Sequence, residues 1–146
     1  MKEFTVIYPM FSPIQLIDEN GKLVGEILLN SFNQKLKIHN EIFKIKYNGL
    51  FSRNYKIFDQ NKNLVFKSDF SKNRFVYYRN EKEIFTYKNN GWFNNKLSLY
   101  KTNDLIISVE SKGFFKKKYK LKINNNFNNH FIILAFLNDY ISSQSS

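Results

Sequence analysis

The chain contains no cysteine, two prolines, five glycines, two histidines and a single alanine, Ala135. Without thiols there is no disulfide framework, thiolate zinc site, iron–sulfur cluster or thiol nucleophile, and the lack of bridges fits a reducing compartment, so a cytoplasmic location is expected. His39 and His130 are too few for an imidazole-rich metal centre, and the scattered glycines form no GxxxxGK phosphate loop. No metal and no cofactor is therefore expected. Arginine is scarce too: Arg53, Arg74 and Arg79 are the only three among 23 basic residues, which weakens bidentate recognition of phosphates or base edges, for which the planar guanidinium is the better tool. The longest apolar run, residues 131–137, falls far short of the roughly 20 residues a helix needs to cross a bilayer. The opening MKEFTVIYPMF carries Glu3 and Pro9 and does not read as a secretory signal.

What is present is a domain-sized chain of 146 residues, 42% hydrophobic and 18% aromatic, with a formal charge of +11. That is one globular domain, 1–146, able to bury a core. Most of it alternates at period two, in aromatic and β-branched runs broken by polar turns. Residues 14–17 meet DENG and continue as KLVGEILL; 35–39 turn at Asn40 and Glu41 into 42–47; 54–58 pass through DQNKN into 64–67. Residues 74–78 then pass through RNEKE into 84–87, 96–100 through KTND into 105–110, and a last strand, 117–123, follows KGFF. Strands at this spacing over residues 2–123 predict an all-β sandwich or barrel.

After three asparagines the pattern changes to FNNHFIILAFLNDYISSQSS. Wound as a helix over residues 128–141, with Asn128 or Asn129 as its cap and 142–146 as a frayed tail, this segment is apolar nearly all round, and such a helix must be enclosed on every side. A buried strand over 131–137 satisfies the same hydrophobicity.

The hairpins IQLIDENGKLVGEI, YKIFDQNKNLVFKS and LSLYKTNDLIISVE, closed by HFIILAFLNDYI, resemble the tubby C-terminal-like superfamily, which includes LURP-one-related proteins and phospholipid scramblases. The resemblance covers nearly the whole chain. It implies a closed antiparallel β-barrel of about twelve strands wrapped round a hydrophobic C-terminal α-helix, and a non-catalytic intracellular module that contacts anionic phospholipid. The chain lacks the Cys-rich and Pro-rich segments of animal scramblases, which sets lipid translocation behind binding as an expectation.

Charge supports an anionic partner independently. Residues 1–30 hold two lysines against four acids, leaving 21 basic residues against eight acids for the remainder, and partners of that later part should be anionic. The stretch KGFFKKKYKLK at 112–122 places Lys116, Lys118, Lys120 and Lys122 on one strand face and Lys117 on the other. Lys35, Lys37 and His39 face Lys44 and Lys46 across a tight turn. The candidate anion-binding residues are thus Lys35, Lys37, Lys44, Lys46, Lys116, Lys117, Lys118 and Lys120, with Phe114 and Phe115 placed to dip into headgroups. The partner these residues suit is an anionic phospholipid or membrane surface, bound peripherally. Single-stranded nucleic acid is the competing partner, with Tyr77, Tyr78 and Tyr87 as stacking candidates. No catalytic set is found. Asp18, Asp59 and Asp104 fall in turns, where Asp bonds its own backbone; Trp92 reads as a loop anchor, His130 as a structural residue at the head of the apolar segment.

Overall fold

The structure is a computed structural model that describes residues 1–9, 13–30, 33–49, 54–90, 96–110 and 118–144. Among the described residues twelve strands, β1 (Lys2–Ile7), β2 (Ile14–Ile17), β3 (Leu23–Asn30), β4 (Asn33–Ile38), β5 (Glu41–Tyr47), β6 (Tyr55–Phe58), β7 (Leu64–Asp69), β8 (Arg74–Tyr77), β9 (Glu83–Asn90), β10 (Lys96–Lys101), β11 (Asp104–Glu110) and β12 (Lys118–Ile123), with a single 3-10 turn at Phe70–Lys72, precede one α-helix, α1 (His130–Gln144). Each strand pairs antiparallel with the next in sequence, and β1 pairs with β12 to close the barrel. Closure leaves no free strand edge.

Period two explains the wall. Phe4 and Val6, Ile14 and Leu16, Leu36 and Ile38, Phe43 and Ile45, and Tyr55 and Ile57 all point inward and are buried, while the residues between them face outward. Closing twelve strands leaves an interior too wide for wall side chains to fill alone, and α1 fills it. Residues 131–140 are buried without a break, at about 2 kcal/mol gross for each large apolar side chain. Phe131 packs against Phe43, Tyr77 and Phe66, with ring centroids 4.9, 5.5 and 5.9 Å away. The helix comes nearest the wall at β3 because Gly25 has no side chain: a Cβ there would stand 3.0 Å from Leu134 Cδ2.

The helix is shifted from its sequence-based bounds, starting at His130 and running to Gln144. At its start Asn129 is the cap, accepting the Ile132 N–H at 3.2 Å, while Asn128 instead accepts from Lys2 Nζ. At its end Ser142 and Ser143 are helical rather than frayed, and Ser143 Oγ donates back to the Tyr140 carbonyl one turn earlier at 2.7 Å, the local back-bond open to a serine in a helix. The strand alternative for 131–137 does not occur.

Two hairpin turns are near copies. Asp18 Oδ1 accepts from Asn20 N and Lys22 N, and Asp59 Oδ1 from Asn61 N and Asn63 N, all at 2.9 Å. Each aspartate closes an Asx turn, and a register shift follows in each hairpin, at Leu16/Ile17 and at Ile57/Phe58. The left-handed position is filled by Gly21 (φ 82°) in one and Lys62 (φ 65°) in the other. The β4–β5 turn is His39–Asn40, with His39 at φ 55°, so Glu41 belongs to the strand and not to the turn expected from sequence.

Candidate functional site

Alternation sends Lys35 and Lys37 of β4, Lys44 and Lys46 of β5, Lys56 of β6 and Lys67 of β7 to the outer wall, between inward-facing core residues. Register then makes five of them neighbours, while Lys37 stands opposite Ile42 rather than facing a lysine as the sequence suggested. Lys35 stands opposite Lys44, Lys46 opposite Lys56 and Lys56 opposite Lys67. Three lysines therefore cross β5, β6 and β7 in one line, where like charges directly opposite destabilise a sheet.

Little on the wall offsets that repulsion. The ion pairs among the described residues are Arg74–Asp69 at 3.5 Å, Arg79–Glu41 at 2.7 Å and Lys101–Glu83 at 2.6 Å, and none involves the six lysines. Glu26 is the cross-strand neighbour of Lys37 but forms no ion pair with it. The Lys46 ammonium lies over the Phe58 ring, 5.6 Å from its centroid. Gln34, Lys35, Lys44, Ile45 and Lys46 line a shallow cleft of about 170 Å³. A larger depression, about 300 Å³, lies between Asn73, Tyr87, Lys88 and Asn89, with one cation rather than three.

Lys56 and Lys67 are absent from the sequence-based candidates. Their outward positions are visible in YKIF and LVFKS, but their opposition depends on the β6–β7 register shift, which alternation alone does not reveal.

Lys118 and Lys120, together with Lys122, are exposed on β12, and Lys120 Nζ donates to Thr5 Oγ1 at 2.7 Å. Lys116 and Lys117 lie outside the described residues, as do Phe114, Phe115, Trp92 and Arg53. In the closed strand order β12 is six places from β6 in either direction, so the two lysine sets stand on opposite sides of the barrel.

The stacking candidates do not form an exposed platform. Tyr77 and Tyr87 are 5% and 7% exposed, held against Phe131 and Phe75 in the interior, and Tyr78 is half-buried. Arg79 is occupied by Glu41 through bonds of 2.7 and 2.8 Å, and its guanidinium sits 5.3 Å from the Phe43 ring centroid.

Among other polar groups, Asp18 and Asp59 are committed to their turns, and Asp104 opens β11. Asp139 is buried near the helix end next to the equally buried Asn138, a carboxylate that sequence reading did not single out. It lies beside the Tyr55 hydroxyl, which is pushed well above the usual tyrosine range first by burial and then by that carboxylate. His130 is half-buried against Phe4, ring centroids 5.8 Å apart; burial, then His39, and to a smaller degree Lys2, hold it below the ordinary histidine value. No cluster of three or more His, Asp or Glu able to hold a metal occurs among the described residues.

No protein-family model matches the chain, and no curated protein matches it. Among solved structures it is similar to the X-ray structure of a protein from Arabidopsis thaliana, AT5G01750, with a TM-score of 0.60 over 99% of this chain and 91% of that one, at 12% identity. At that identity the likeness establishes a shared fold: a closed antiparallel barrel of twelve strands enclosing one C-terminal helix.

Proposed function

We propose that this chain is a non-catalytic, intracellular binding module of the tubby C-terminal-like kind, and that the outer wall of β4–β7 contacts anionic phospholipid headgroups. One observation carries the reading: Lys46, Lys56 and Lys67 stand in line across three strands beside the opposed pair Lys35 and Lys44, without an ion-paired carboxylate among the described residues. A sheet keeps such an arrangement at a cost in stability that an anion relieves. The sequence resemblance supports the family placement, and the barrel round a terminal helix is the architecture that resemblance implies. An apolar interior beneath a lysine-bearing exterior is the reverse of a membrane-spanning barrel, and no described helix is long and apolar enough to cross a bilayer. A peripheral contact is the mode that remains.

Each lysine near an anionic leaflet contributes about 1 kcal/mol. Five or six give a dissociation constant on the order of 0.1 mM, a transient, salt-sensitive contact, with the cleft between Lys35, Lys44 and Lys46 receiving a headgroup phosphate. Co-sedimentation with phosphatidylcholine vesicles, with and without phosphatidylserine or phosphoinositide, tests this. Binding should require the anionic lipid, fall steeply between 0.1 and 0.5 M salt, on the order of the Debye screening change, and drop at least about tenfold in K44E/K46E/K56E. Binding to neutral vesicles alone, or unchanged binding by that variant, would sink the reading. A single-stranded oligonucleotide bound more tightly than any vesicle would assign the wall to nucleic acid instead.

A further inference from the structure

We infer that the barrel has two independent anion-binding faces on opposite sides, and that it bridges two anionic bilayers rather than lying on one. The inference rests on the headgroup-binding reading above and extends it to a second surface.

The first face is the β4–β7 wall. The second is the ladder on β12, where Lys118, Lys120 and Lys122 recur at every second residue and are exposed. Alternate residues on a strand lie about 7 Å apart, so the three ammonium groups form a line that a flat anionic surface meets all at once. The strand beside it offers little charge: Ile7, Thr5 and Glu3 stand opposite Lys118, Lys120 and Lys122 in register, and Glu3 forms no ion pair with Lys122.

Between the faces the wall carries fewer cations, and its middle carries none. On one side the outward positions of β1–β3 include Glu3, Thr5, Gln15 and Glu26. On the other, Ile84 and Thr86 lie along the middle of β8–β10 beside the buried Val76 and Ser98, and the exposed Lys88 and Lys96 stand toward one end of the β9–β10 pair. The lysine sets are therefore separate patches and not two ends of a continuous belt.

Geometry forbids one flat membrane from touching both. Twelve strands about 4.8 Å apart, tilted by about 40°, put opposite walls roughly 25 Å apart. That is about three times the Debye length at physiological salt, so neutralising one face leaves the attraction of the other unaltered. A molecule held through β4–β7 turns β12 directly away from the bilayer. Alone, three lysines bind weakly; many molecules anchored on one vesicle present their ladders together, and the weak contacts then act in parallel.

The test uses two populations of phosphatidylcholine/phosphatidylserine vesicles labelled as an energy-transfer pair, with co-sedimentation measured in parallel. The wild-type chain should bind the vesicles, raise energy transfer between populations and increase the mean particle diameter severalfold. K118E/K120E/K122E should keep at least half of the bound fraction and lose the clustering. The milder K118Q/K120Q/K122Q should behave alike, with an unchanged melting curve showing that the lost Lys120–Thr5 bond has not unfolded the barrel. Clustering by the β12 variants at the wild-type level, wild-type binding without clustering, or loss of all binding when β12 is altered would each overturn the two-faced assignment. If the wild-type chain binds no anionic vesicle at all, it is the headgroup reading itself that fails.

Discussion

Lys62 occupies the left-handed position that Gly21 occupies in the matching turn, at φ 65° against 82°. A side chain there costs about 1–2 kcal/mol, while glycine costs roughly 0.5–1 kcal/mol of extra chain entropy on folding. Lys62→Gly should therefore raise stability by up to about 1 kcal/mol. Gly21→Ala should lower it by about 1 kcal/mol, a purely conformational cost because a Cβ there meets nothing within 4 Å. Chemical denaturation of both variants checks the pair, and equal shifts of the same sign would contradict the analysis. At the residue scale much was legible: Asp18 and Asp59 read as turn residues, and both hold turns. Lys62 was not, since lysine carries no sign of the left-handed conformation; the turn imposes it through the Asp59 carbonyl, which accepts the Lys62 N–H at 3.1 Å.

At the scale of elements, α1 and β3 meet where Gly25 makes room for Leu134. Gly25→Val should destabilise by about 1–3 kcal/mol through overpacking and Leu134→Ala by about 2–5 kcal/mol through the cavity left. In the double variant the two changes should cost less than their sum, because the added methyls enter the space the leucine vacates; strict additivity in urea denaturation would show that the two residues do not share that space. The head of the helix is pH-sensitive. His130 titrates below its unfolded value, so the folded state favours neutral imidazole. The stability this brings is complete above the unfolded pKa of about 6.5 and is lost as pH falls through it toward the lower folded value. The melting temperature should accordingly fall between pH 7 and pH 5, and His130→Phe, which keeps a ring against Phe4, should flatten that fall. The helix itself was legible as an apolar segment, yet its ends were not. Polar Ser142 and Ser143 read as tail, whereas one of them closes the last turn through its own hydroxyl, a role that polarity does not announce.

At the scale of the molecule, fold class was the most legible property, because period-two alternation repeated through many short runs, followed by one all-round apolar segment, admits few arrangements other than a wall and its filling. The candidate site was legible only in part. Alternation and the tight turn set the lysines of β4 against those of β5, as Lys35 and Lys44 are, but did not reveal the line Lys46–Lys56–Lys67, which depends on the β6–β7 register shift. Opposition yields a prediction in which two measurements move apart. Lys44→Glu converts the Lys35–Lys44 opposition into an attractive cross-strand pair and should raise stability by about 0.2–1 kcal/mol, while vesicle affinity falls by well over twofold, at about 1 kcal/mol per lysine. A variant that melts higher and binds less cannot owe its lost binding to misfolding; a parallel decline in both would remove Lys44 from the contact.

The seam between β1 and β12 joins the two ends of the strand series, whereas every other pairing is made with the next strand along. During synthesis the hairpins can form one by one as they leave the ribosome, but the residues that fill the interior, 130–144, emerge after all of them. The nascent sheet must therefore wait as an open, curved ribbon with its greasy side uncovered. Sealing the seam and seating the plug then become a single closing event that cannot precede the emergence of residues 130–144.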